Sequence, residues 1–131
     1  MSIKISENVE NYIPTLQKQL LLSKKEPKLV VLRFMINFSL SINRDFEFEK
    51  DFVSFRDYRL EQIVGKGKGE ENFYQQYWKI CEAFSDKRFA DEKEFEQNLE
   101  FHINRAFYIL KTSTSSNTDI YKYMIDELLL N

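Results

Sequence analysis

Residues 29–42, Leu-Val-Val-Leu-Arg-Phe-Met-Ile-Asn-Phe-Ser-Leu-Ser-Ile, constrain most strongly what this chain can fold into. Ten of the fourteen are apolar, and wound as an α-helix they cover nearly its whole circumference, so the helix must be buried. The polar residues keep to one line. Arg33, Asn37, Ser41 and the following Arg44 fall at i, i+4, i+8 and i+11, a narrow stripe. The entrance has the opposite character: Ser23-Lys24-Lys25-Glu26-Pro27-Lys28 gathers three lysines beside a proline suited to a first helical turn. Cations at a helix N-terminus oppose the local dipole and cost stability unless an anion sits there.

The rest of the chain is long and apolar enough for one domain. At 131 residues, with 43% hydrophobic content and twenty aromatic residues, it can bury a core without metals or disulfides. No run reaches the roughly 18 to 20 apolar residues of a membrane span. The start, Met1-Ser2-Ile3-Lys4-Ile5-Ser6-Glu7, has no signal-peptide core, so a cytoplasmic protein is expected. Cys81 is alone, which excludes a disulfide framework, and its periodic apolar surroundings place it in the core. The net charge of −2 is unevenly spread: residues 1–44 hold seven Lys/Arg against three Asp/Glu, the remainder twelve against eighteen. Screening confines each charge to about 8 to 10 Å at physiological salt, so a basic face on an acidic protein is electrostatically reasonable. Ordinary compositional variation explains the same split equally well.

Along the chain, Ile3-Lys4-Ile5 alternates like a short strand, and Ser6 is placed to cap a helix carrying Val9, Ile13, Leu16 and Leu20 on one face. Pro14 means that this helix either starts late, near Asn11, or is kinked. A second helix is expected from about Pro27 to Ile42. Phe46, Phe48, Phe52, Phe55, Tyr58 and Leu60 then fit short strands or an irregular aromatic-anchored loop. All three glycines lie in Gly65-Lys66-Gly67-Lys68-Gly69, without the Ser/Thr and spacing of a P-loop. This reads as a flexible connector whose Lys66 and Lys68 can touch a phosphate nonspecifically. A third helix is expected over about Glu70 to Phe84, with Phe73, Tyr77, Ile80, Cys81 and Phe84 on one side and Trp78 beside them. Ser85-Asp86-Lys87-Arg88 makes a turn, and Asp91 with Glu94 has the spacing of a capping box for a fourth helix. Phe95, Leu99, Ile103, Ala106 and Leu110 form its core stripe. After the polar loop at 112–118, Ile120, Tyr123, Met124, Leu128 and Leu129 predict a terminal amphipathic helix, docked on its own domain or recruiting a partner.

Little here points to catalysis, and no enzyme, metal or cofactor is expected. His102 is the only histidine, so it has neither a second imidazole nor a nearby cysteine for a metal. It reads as a structural hydrogen-bonding residue. Glu47 and Glu49 belong to a charged, solvated stretch.

Three stretches together suggest a family. Ile3 through Glu7, then a helix, then Leu29 through Leu40 with Arg33 and Ser39-Leu40 near its end, resembles the amino-terminal half of the DndE family of DNA phosphorothioation proteins. Phe55-Arg56-Asp57-Tyr58-Arg59-Leu60 is similar to the aromatic and polar run that follows there. Phe101-His102-Ile103-Asn104-Arg105-Ala106 through Leu110 resembles the family's carboxy-terminal His-x-Asn-Arg helix. This chain has Leu22-Ser23-Lys24-Lys25 where members commonly carry a Thr-Gly turn, and Ala106 where they carry glycine. The resemblance implies a small, mainly α protein with a small β component, a ribbon-helix-helix-like start followed by further helices, and one compact domain. It also implies a role beside a cysteine desulfurase, a sulfur-transfer protein and an ATPase that replace a non-bridging phosphate oxygen of DNA by sulfur.

The expectation is thus a noncatalytic DNA-binding accessory subunit, with domain residues 1–112 and a polar loop and terminal helix over 113–131. Its candidate phosphate contacts are Lys4, Lys18, Lys24, Lys25, Lys28, Lys66 and Lys68, which position duplex DNA without reading bases. One alternative is an interaction scaffold using Asp119, Asp126 and Glu127 beside Tyr121, Tyr123 and Leu128 to Leu130. Another is a ribbon-helix-helix repressor or antitoxin, which needs a homo-oligomer to complete its ribbon.

Overall fold

A computed structural model describes residues 2–20, 28–42, 45–48, 54–65, 73–113 and 120–130. The elements are β1 (Ile3–Ser6), α1 (Glu7–Gln19), α2 (Lys28–Ser41), β2 (Ser54–Tyr58), α3 (Leu60–Val64), α4 (Tyr74–Ser85), α5 (Glu92–Ser113) and α6 (Ile120–Leu130). The fold is mainly helical with one small antiparallel sheet, as the sequence implies.

Alternation builds the sheet. Ile3 and Ile5 turn into the core, while Lys4 points out. The register pairs Ile3 with Tyr58, Lys4 with Asp57 and Ile5 with Arg56, and shifts between Ile5 and Ser6. The strand-helix-helix order is therefore present, but β1 finds its partner in β2 of the same chain, so no second chain is needed to complete the ribbon. Ser6 ends β1 and caps α1, its Oγ accepting from the Val9 amide at 3.3 Å. The late start at Asn11 does not hold: α1 begins at Glu7 and runs through Pro14.

α2 lies against α5, and the two supply twelve of the 27 buried apolar side chains among the described residues. On α5, Phe95, Leu99, Ile103, Ala106 and Leu110 are buried as their spacing predicts. On α2, Val31, Leu32, Met35, Ile36 and Phe38 are buried, and the polar stripe turns outward, with Arg33 half-buried and Asn37 and Ser41 exposed. Arg44 lies outside the described residues. Phe46 and Phe48 behave as the aromatic-anchored loop, since Phe48 stacks on Phe101 and Tyr108 at 5.7 and 5.3 Å between centroids. The later residues 54–58 form a strand.

α4 differs from its expected orientation. Tyr77 and Cys81 are buried, but Phe73, Ile80 and Phe84 are exposed, Ile80 to 50%. The helix is turned by its two largest rings: Trp78 packs on Phe95 at 4.9 Å and on Phe89 at 5.6 Å, and Tyr74 packs edge-on to Phe95 at 5.4 Å. Burying this aromatic pair on α5 removes more apolar surface from water than burying Ile80 and Phe84 would. Gly65 closes α3 with φ 78°, a left-handed conformation that suits glycine; Gly67 and Gly69 lie outside the described residues. α6 docks on its own domain through buried Ile120, through Tyr123 near Phe38, and through the Tyr121 hydroxyl, which donates to the Leu20 carbonyl at 2.7 Å. No helix among the described residues is long and apolar enough to cross a membrane.

The rotation of α4 has a direct check. Ile80→Ser should change stability by no more than about 0.5 kcal/mol, whereas Trp78→Ala should cost about 3 kcal/mol, followed by circular dichroism in urea. Equal losses would mean that the apolar arc containing Ile80 is the buried one.

Candidate functional site

The N-terminal charges are organised around one carboxylate. Glu10 lies in the first turn of α1 and is only 6% exposed. It accepts from Lys28 Nζ at 2.6 Å and from the Tyr58 hydroxyl at 3.1 Å, with Arg56 Nε at 3.5 Å. The β register explains why Arg56 and Tyr58 arrive together: they are two residues apart on β2 and so share a face. Burial, and then the Glu10 carboxylate, push the Tyr58 phenol up to about 12, so it remains a hydrogen-bond donor at any physiological pH. The anion required beside the first residue of α2 is supplied from within the fold.

This arrangement bears on each expected phosphate contact. Lys28 is held by Glu10, so a polyanion must compete with a buried carboxylate for it. Lys4 is exposed on the outer face of the ribbon and has Asp57 as its cross-strand neighbour, while its backbone amide donates to Glu100 Oε1 at 2.7 Å. Lys18 is exposed in the last turn of α1, where a cation complements the dipole. Lys24, Lys25, Lys66 and Lys68 lie outside the described residues. Arg56, which the sequence did not single out as a site residue, joins Lys28 at Glu10. The signal for it was the strand alternation of residues 54–58, which pairs it with a core-facing position.

The residues that carry the family resemblance meet in the interior. Ser39 Oγ and His102 Nδ1 are 2.7 Å apart. Arg105 donates through Nη1 to the Ser39 carbonyl and hydroxyl, and through Nη2 to the Ile42 carbonyl at 2.9 Å. These carbonyls belong to the end of α2, whose last turn contains no basic residue, so Arg105 supplies the missing cation from α5. Because Ser39 accepts from Arg105, its own proton goes to Nδ1, which places the imidazole proton on Nε2. Nε2 has no hydrogen-bond partner among the described residues. Phe84 and Phe101 close over the ring edge-on at 4.8 and 5.1 Å, and the Arg105 guanidinium lies 5.2 Å from the Phe84 centroid. Burial, and then the neighbouring Arg105, lower His102 to about 3. Asn104 is bonded locally, donating to the Glu100 carbonyl at 2.8 Å. With Ser39 and His102 fully enclosed, a substrate reaches neither unless Phe84 moves.

The outward stripe of α2 borders a cleft of about 370 Å³ lined by Arg33, Asn37, Phe73, Gln76, Tyr77 and Ile80. Arg33 Nε donates to the Ile63 carbonyl at 2.6 Å, closing the end of α3 as Arg105 closes α2. The Tyr77 hydroxyl donates to Asn37 Oδ1 at 2.9 Å, which turns the Asn37 amide nitrogen away from it. The sequence revealed the polar stripe but not its neighbour, because the orientation of α4 depends on Trp78. Among the described residues no group of three His, Cys, Asp or Glu is placed to hold a metal ion.

His102 gives a pH prediction. Its folded pKa lies below the unfolded value near 6.5, so its contribution is complete above that pH and is lost as pH falls toward 3. The slope is about 1.4 kcal/mol per pH unit, or roughly 2 kcal/mol lost by pH 5. Urea titrations at pH 7 and 5 should show this in the native chain and not in His102→Gln. Separately, Arg105→Met removes the partner of the Ile42 carbonyl and leaves the Ser39 carbonyl only the Ile42 amide at 3.3 Å, and should cost about 3 kcal/mol, measured by the same titration at pH 7.

Comparison of the chain with protein-family models, with curated proteins and with solved structures gives no match in any of the three.

Proposed function

We propose that the chain is a noncatalytic accessory subunit that contacts the DNA backbone, in the role its resemblance to the DndE family implies within a phosphorothioate-modification complex. The observation carrying this reading is the outward placement of Lys4 and Lys18 at the two ends of the β1–α1 unit, leading into the segment that contains Lys24 and Lys25. The polar groups of the interior support a structural role for themselves: Glu10 and the Ser39–His102–Arg105 group are occupied in joining elements. Duplex DNA and larger partners such as a desulfurase, a sulfur-transfer protein and an ATPase are the expected company.

The pairing of Lys28 with Glu10 sharpens the test. Each lysine that meets a phosphate contributes about 0.9 to the slope of log affinity against log salt. Replacing Lys4, Lys18, Lys24 and Lys25 together by Gln should flatten that slope by about 3.6 units in fluorescence anisotropy with a labelled duplex, while Lys28→Gln should leave it unchanged within about half a unit. An unaltered slope in the fourfold variant rejects the DNA reading.

A second reading, an interaction scaffold, is favoured by one observation: on α6, Tyr121, Asp126 and Ile125 are exposed, Ile125 to 56%, whereas Ile120 is core. Deleting the helix would unseat Ile120 and Tyr121, so a point change is the cleaner probe. Ile125→Glu should abolish co-purification with larger partners and leave DNA affinity intact; retained co-purification excludes α6 as the contact.

A further inference from the structure

We draw no further inference here: the strongest candidate, the open pocket of about 510 Å³ between residues 45–48 and α5, where Phe46, Phe48 and Phe101 stand beside the Glu47 carboxylate, carries nothing because residues 43–44 and 49–53 on either side of it lie outside the described residues and nothing in the structure shows what covers it.

Discussion

α2 is an apolar rod that cannot finish its own ends, and the rest of the molecule is arranged to finish them for it. Its first turn has no acidic residue and its last turn no basic one. At the far end the remedy is Arg105, which reaches from α5 to the Ser39 and Ile42 carbonyls. A guanidinium is costly to bury, but here it meets the negative end of a helix dipole and the face of Phe84, so desolvation is offset by charge-assisted hydrogen bonds. His102 then has to stay neutral: a second positive charge beside Arg105 in a site without solvent would have nothing to balance it. Arg105 thereby adds to the burial that keeps His102 neutral, and it ties the end of α2 to α5.

The same device recurs at smaller scale. Arg33 closes α3 through the Ile63 carbonyl, and the Tyr121 hydroxyl closes α1 through Leu20. In each case the capping group comes from an element distant in sequence, so the cap also serves as a tether. Glu10 does the corresponding work at the start of α2, joining α1, α2 and β2 through Lys28, Arg56 and Tyr58. These distant side chains act beside local stops, at Gly65 after α3 and at Asp86, whose φ of 51° closes α4.

Local features were legible in the sequence, and features that require a partner were not. Ser6 before Glu7, the α5 stripe from Phe95 to Leu110, and Asp91 accepting from the Glu94 amide at 3.0 Å all depend on neighbours within a few residues. The return half of the expected capping box is displaced, since the Glu94 carboxylate meets the Ala90 amide rather than that of Asp91. On α4 two apolar arcs compete, one through Tyr74, Trp78 and Cys81 and one through Phe73, Ile80 and Phe84. Counting apolar residues cannot choose between them; the rings of Phe89 and Phe95 do. Likewise the lysines before α2 suggested an external anion, because nothing local indicated that Glu10, eighteen positions earlier, would be folded against Lys28.

That last point changes how the basic N-terminal third should be weighed. A positive charge counts toward a binding surface only to the extent that the fold has not already committed it. Lys28 is committed by a 2.6 Å contact to a carboxylate with little access to water, where Coulomb attraction is less screened than at the surface. Lys4 and Lys18 remain on the outside, so the proposed DNA contact would draw on fewer charges than the sequence alone implied.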